Sequence, residues 1–147
     1  MAPSILLSNV RSLFTKFDEL CVLVSQKRAD VVAVTESWLN ESIVTSLLDI
    51  PGFTLFRTDR TLRKGGGTCL WVRNSLDPRP VDDLMLCLPD TVEGTWITIE
   101  NRSILCICLY IPPGLTHDQK KRNPKSTKRC SRQLLRSCTN IRAHNHG

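Results

Sequence analysis

At 147 residues and 41% apolar content the chain has room for one domain with a single core, and a second domain is not expected. Its net charge of +6 is unevenly spread: residues 1–114 carry 11 Lys/Arg against 13 Asp/Glu, a net of −2, and residues 115–147 carry 9 against 1, a net of +8. The basic excess therefore says nothing about the surface of a folded part, which is mildly acidic. No apolar run approaches the roughly 20 residues of a membrane span, no signal peptide is read at Met1-Ala2-Pro3, and seven cysteines without repeated spacing suit a reducing, intracellular compartment, nuclear or cytoplasmic.

Ile5-Leu6-Leu7 leading to Val10 reads as a short buried strand ending near Asn9. Leu13, Phe14, Phe17, Leu20, Cys21 and Val24 then recur at helical offsets, which predicts an amphipathic helix with Ser12 as its N-cap. Val31-Val32-Ala33-Val34 is continuous, β-branched and too short for a helix, so it is a buried strand. Strand, helix and strand together make a βαβ-like opening. Ile43, Leu47 and Leu48 suggest a short helix closed by Pro51-Gly52, and Phe53 to Phe56 a strand. Gly65-Gly66-Gly67 breaks the chain before Thr68 to Val72, as in a hairpin whose turn tolerates positive φ. After a loop containing Pro78, Pro80 and Pro89, Trp96 to Ile99 and Ile104 to Leu109 form a second strand pair, joined by a turn at 100–103 and closed by Pro112-Pro113-Gly114. Beyond Gly114 apolar periodicity fades, and residues 115–147 read as a basic, disordered tail.

Three polar residues follow apolar runs, where open α/β folds collect their chemistry. Glu36 stands where a carboxylate can face a cleft. Mg²⁺ often takes only one or two protein carboxylates beside waters and phosphate oxygens, so a single glutamate suffices as a ligand; the same residue also suits a surface glutamate capping the next turn. Asn9 offers a donor and an acceptor to a carboxylate or phosphate, and equally an Asx-turn. Tyr110, the chain's one tyrosine, can pack its ring while its hydroxyl reaches a phosphate, or be an ordinary strand-end tyrosine.

These residues lie within an ordered set of short motifs: Leu7-Ser8-Asn9-Val10-Arg11-Ser12-Leu13, Asp18-Glu19-Leu20, Asp30 through Leu39, Pro51-Gly52-Phe53, Arg57-Thr58-Asp59-Arg60, Gly65-Gly66-Gly67, and Leu109 through Pro113. From residue 4 to 114 the set resembles the endonuclease domain of non-LTR (LINE-type) retrotransposons, within the endonuclease/exonuclease/phosphatase superfamily. The resemblance implies the N-terminal half of a four-layer α/β/β/α sandwich, an α/β (α+β) fold, from an enzyme that nicks DNA with a Mg²⁺-assisted water. It implies that Glu36 is a metal ligand, that Asn9 helps set the site and that Tyr110 contacts the scissile phosphate. Asp59-Arg60 would shape the DNA-facing loop or form a plain salt bridge.

The family's second half carries a Gly-Asp-Phe-Asn-like motif and later a Ser-Asp-His-like motif with the acid/base pair, and this sequence contains neither. After Glu100 the only acid is Asp118, and His117, His144 and His146 lie in no matching context. The expectation is a partial domain at 1–114, truncated relative to the family and inactive alone, followed by a tail. The alternative is a fragment that binds nucleic acid without sequence preference through residues 115–147. Gly65-Gly66-Gly67 is not a phosphate loop, since no Gly-Lys-Ser/Thr follows. Cys106 and Cys108 read as small core residues, and Cys130, Cys138, His144 and His146 match no zinc-finger spacing. The tail looks like an out-of-frame or spliced-on end. Reading the encoding DNA downstream of codon 114 in the other two frames is expected to reveal both missing motifs; their absence from both frames would contradict a frameshift.

Overall fold

Val31-Val32-Ala33-Val34 is apolar at every position, which suits a strand covered on both faces. The computed structural model, which describes residues 2–61, 63–81, 92–101 and 103–112, buries the whole strand. In chain order the strands are β1 (Ile5–Asn9), β2 (Val31–Thr35), β3 (Phe53–Thr58), β4 (Thr68–Arg73), β5 (Arg79–Pro80), β6 (Glu93–Ile99) and β7 (Ile104–Tyr110), with α1 (Phe17–Lys27) between β1 and β2. The first sheet has the order β1-β2-β4-β3 and the second β5-β6-β7. β1 and β2 are parallel around α1, as the βαβ-like opening predicts, and the remaining pairs are antiparallel.

One face of the first sheet packs Val32, Val34 and Trp71 under Leu13, Leu20 and Val24 of the helical segment. The Phe17 ring lies 6.1 Å from that of Trp71, stacked at 28°, and the Trp71 indole N–H donates to the Leu48 carbonyl at 2.9 Å. The other face packs Val31, Ala33, Leu70 and Val72 against Ile97, Ile99 and Cys108 of the second sheet. The described residues thus form α, β and β layers of a mixed α/β sandwich. Burying each valine of β2 contributes about 1.5–3 kcal/mol relative to exposure. A polar seam crosses between the sheets at one end, where the Thr95 hydroxyl donates to that of Thr58 (3.0 Å) and lies 2.8 Å from that of Thr68.

Several expectations change in the folded chain. β1 is an edge strand rather than a buried one: Ile5 and Leu7 are 64% and 69% exposed, because the second sheet covers β2 and β4 and does not extend over β1. Ser12 does not cap the helix. Its φ is +78°, and its backbone N–H donates to the Glu36 carbonyl at 3.1 Å. Residues Phe14–Lys16 wind as a 3₁₀ turn before α1 begins. Three residues per turn rotate Phe14 off the buried stripe, and it is half exposed. The segment around Ile43, Leu47 and Leu48 forms only a 3₁₀ turn, Thr45–Leu48, in which Leu48 is buried and Leu47 exposed. The loop before β6 contains the unanticipated two-residue strand β5, with Pro80 on the sheet edge. Cys108 is buried and Cys106 packs against the same cluster; burial pushes the Cys108 thiol up to about 11 and that of Cys69 up to about 12. The tail from 115 onward, with Cys130, Cys138 and the three histidines, lies outside the described residues. No helix among the described residues is long and apolar enough to cross a membrane.

Two predictions follow from this packing. The Asp30 carboxylate accepts the Ser4 backbone N–H and hydroxyl (each 2.9 Å) and Arg73 Nε (3.1 Å), which holds its carboxyl below the ordinary carboxylate value. That stabilisation is present above the unfolded-state pKa, about 3.9, and is lost as pH falls through the lower folded value. Urea midpoints of the wild type and Asp30→Asn, separated near neutrality, are therefore expected to converge as pH drops below about 4. The uncovered face of β1 predicts concentration-dependent self-association in sedimentation velocity, reduced by Leu7→Lys. A monomer with a sharp unfolding transition at all concentrations contradicts it.

Candidate functional site at the open end of the sandwich

The register of the first sheet brings Asn9, Thr35, Thr68 and Thr58 into one row, so all four strands reach the same edge together. Just beyond that row run the segments 10–12, 36–39, 59–60 and 65–67. The segment after β2 is stitched to its neighbours on both sides. Ser12 and Leu13 N–H donate to the Glu36 and Ser37 carbonyls (3.1 and 2.9 Å), and Ser37 and Trp38 N–H donate to the Gly67 and Gly66 carbonyls (3.2 and 2.8 Å). Glu36 and Trp38 both have left-handed φ, +57° and +56°. That conformation costs an ordinary residue roughly 1–2 kcal/mol, and the four hydrogen bonds hold it.

Glu36 is half buried, and its Oε2 accepts the Trp38 indole N–H and the Gly66 backbone N–H (3.2 Å). Oε1 accepts no hydrogen bond among the described residues. Lys64 Nζ lies 5.8 Å from the centre of the Trp38 ring, a cation–π contact beside the carboxylate. Gly66 and Gly67 are buried with φ of +67° and +85°. A Cβ at Gly66 would overlap the Arg60 guanidinium, and one at Gly67 would overlap the Ser37 hydroxyl. The glycine loop thus serves close approach as well as turning. Its amides face carboxylates, since Gly67 N–H donates to Glu93 Oε2 at 2.7 Å.

The three residues singled out from the sequence gather at this end. Asn9 is exposed as the last residue of β1, with Thr35 as its cross-strand partner and Glu36 following directly. Together with Lys16 and Glu19 it also lines a shallow pocket toward α1. Lys16 Nζ donates to the Val10 and Arg11 carbonyls (2.5 and 3.2 Å), fixing the turn that leaves β1. Tyr110 is half buried at the end of β7, opposite Glu93. Because Cys108 faces the first sheet, alternation along the strand sets Tyr110 on that same inner face.

Asp59 and Arg60 are both in salt bridges, with other partners than each other. Asp59 takes a two-pronged bond from Arg57 (Nε–Oδ1 3.0 Å, Nη2–Oδ2 2.5 Å), and Arg60 pairs with Glu93. Glu93 and Trp38 carry parts of the site that the sequence reading gave no role. Glu93 precedes its apolar strand, whereas Glu36 follows one, so the signal that singled out Glu36 did not reach it. Among the described residues no three His, Cys, Asp or Glu side chains cluster as metal ligands. The donor set nevertheless fits Mg²⁺ bound through one carboxylate, since Glu36 is anchored by one oxygen and offers the other.

No protein-family model matches the chain, and neither does any curated protein. Solved structures do. The endonuclease domain of TRAS1, a telomere-specific non-LTR retrotransposon, superposes with a TM-score of 0.58 at 14% identity over 90% of this chain and 56% of that one. The AP endonuclease LMAP from Leishmania major gives 0.61 at 18% identity, covering 89% and 47%. The 3′ phosphatase NExo from Neisseria, bound to a product DNA hairpin, gives 0.59 at 16% identity, covering 99% and 53%. The chain spans about half the length of each of these structures. Over that part of the architecture it shares the fold of these structures.

Proposed function

We propose that this chain carries the metal- and phosphate-holding part of a DNA-nicking endonuclease site of the non-LTR retrotransposon type, and that it does not nick DNA alone. The observation that supports this best is the convergence of Asn9, Glu36 and Tyr110 at one end of the sandwich, with Glu36 held through one oxygen by two N–H donors. A bound Mg²⁺ would supply Lewis-acid polarisation of a phosphoryl oxygen. Glu36 Oε1 would hold it, while the Asn9 amide orients a phosphate oxygen or a water. The Tyr110 hydroxyl would donate to the scissile phosphate, and the exposed Arg11, next to the Ser12 that bonds the Glu36 carbonyl, and Lys64, beside Trp38, would meet the DNA backbone.

Phosphodiester hydrolysis also needs a positioned water and a base to take its proton. The sequence holds no acid after Glu100 except Asp118 and no Ser-Asp-His-like pair, so the described site supports binding and charge stabilisation without proton transfer. General acid–base catalysis typically contributes 10²–10⁴-fold, and its loss reduces nicking accordingly.

The test is nicking of supercoiled plasmid with Mg²⁺, using the wild type and Glu36→Ala prepared identically. The expected outcome is no Glu36-dependent nicking. Nicking that disappears in Glu36→Ala would show a complete site and overturn the inactivity part of the proposal.

A further inference from the structure

The Arg60–Glu93 ion pair links two segments with no sequence proximity. Arg60 follows β3 by two residues, and Glu93 opens β6 in the other sheet. Both side chains are about 85% buried, at 14% and 15% exposure. Between them and Glu36 lies the glycine loop. The Arg60 guanidinium lies against Gly66 so closely that no Cβ fits there, and its Nη1 donates to the Lys64 carbonyl at 3.4 Å. Glu93 holds the pair with Oε1 and takes the Gly67 N–H with Oε2. The next amide, Gly66 N–H, donates to Glu36 Oε2, and the Gly66 carbonyl accepts Trp38 N–H.

We propose that Arg60 and Glu93 are positioning residues: their ion pair fixes the Gly66–Gly67 backbone, and through it the orientation of the Glu36 carboxylate. A pair serving only to join the sheets would not require the glycine loop to be threaded between it and Glu36. Among the described residues, the buried Arg60 Nη2 has no hydrogen-bond partner, and it lies on the face turned to Gly66. Glu93 is also the cross-strand neighbour of Tyr110, so one residue registers the phosphate-facing tyrosine and the metal-facing glutamate together. This inference rests on the proposed role of Glu36, and its readout does not.

The Trp38 indole N–H bonds to Glu36 Oε2, so its ¹H–¹⁵N resonance reports the carboxylate's position directly. Trp71, whose indole N–H bonds to the Leu48 carbonyl on the helix side of the sheet, reports the fold. Spectra of the full chain, dilute and metal-free, are compared for the wild type, Glu36→Gln, Glu93→Gln and Gly66→Ala, with Trp38→Phe to assign the peak. The expected result is that Glu93→Gln and Gly66→Ala both move the Trp38 peak toward its Glu36→Gln position and leave the Trp71 peak in place. An unmoved Trp38 peak in both variants overturns the proposal. Should the Trp71 peak collapse in either, Arg60→Lys, which keeps the charge and removes the flat contact with Gly66, decides by the same comparison. A Mg²⁺ titration then separates the two readings. Mg²⁺ is expected to shift the wild-type Trp38 peak, with the midpoint raised about tenfold in Glu93→Gln. A Trp38 peak that Glu93→Gln moves but Mg²⁺ does not would keep the positioning role and overturn the metal role of Glu36.

Discussion

Complete burial of β2 is the constraint on which the rest depends. Five consecutive residues without a solvent-facing side require cover on both faces. One face takes the helical segment and the other takes the second sheet, so a strand of five residues sets the layer order. The same burial leaves the C-terminal end of β2 as the place where a charged side chain can first appear. Glu36 occupies it, at the one edge where all four strands of the first sheet end in register. The location of the site is thus a consequence of how the core is covered.

Holding a carboxylate there requires backbone conformations that the sequence does not favour. Glu36 and Trp38 are left-handed without being glycine, and the three glycines of the facing loop are left-handed as well. Among the described residues the buried Arg60 Nη2 has no hydrogen-bond partner. Among the described residues, four of the eight non-glycine residues with positive φ (Arg11, Ser12, Glu36 and Trp38) fall in this cluster, and the other four (Arg28, Asp77, Glu100 and Asn101) lie in turns and caps elsewhere. Proteins tolerate local strain mainly where the surroundings over-determine it. Here hydrogen bonds from two neighbouring segments and the ion pair between sheets do so.

Much of the fold was legible in the sequence because its strands are continuous apolar runs bounded by Gly, Pro and polar turns. Val31 to Val34, Phe53 to Phe56 and Ile104 to Leu109 could hardly be read otherwise. What was not legible depends on contacts far apart in the chain. Ile5 and Leu7 look as buried as Val31 and Val32, and only the reach of the second sheet exposes them. Ser12 has the chemistry of an N-cap, yet its amide is taken by Glu36 and the helix starts a turn later. The same holds within the site. Glu36 announces itself by following an apolar run, but the Arg60–Glu93 pairing spans 33 residues and depends on how one sheet seats on the other.

The placement of Glu93 bears on how much of the site these residues can organise unaided. If the Glu36 carboxylate were oriented only by its own strand, the first sheet and its helix would suffice. Instead its hydrogen-bonded loop is held by a residue at the mouth of β6, so the second sheet takes part in shaping the site as well as in closing the core. β6 and β7 are also where Tyr110 enters. The smallest unit that can present Asn9, Glu36 and Tyr110 in fixed relation is therefore the two-sheet body through β7. Within that body the Glu36 carboxylate is oriented by a loop that the second sheet holds in place.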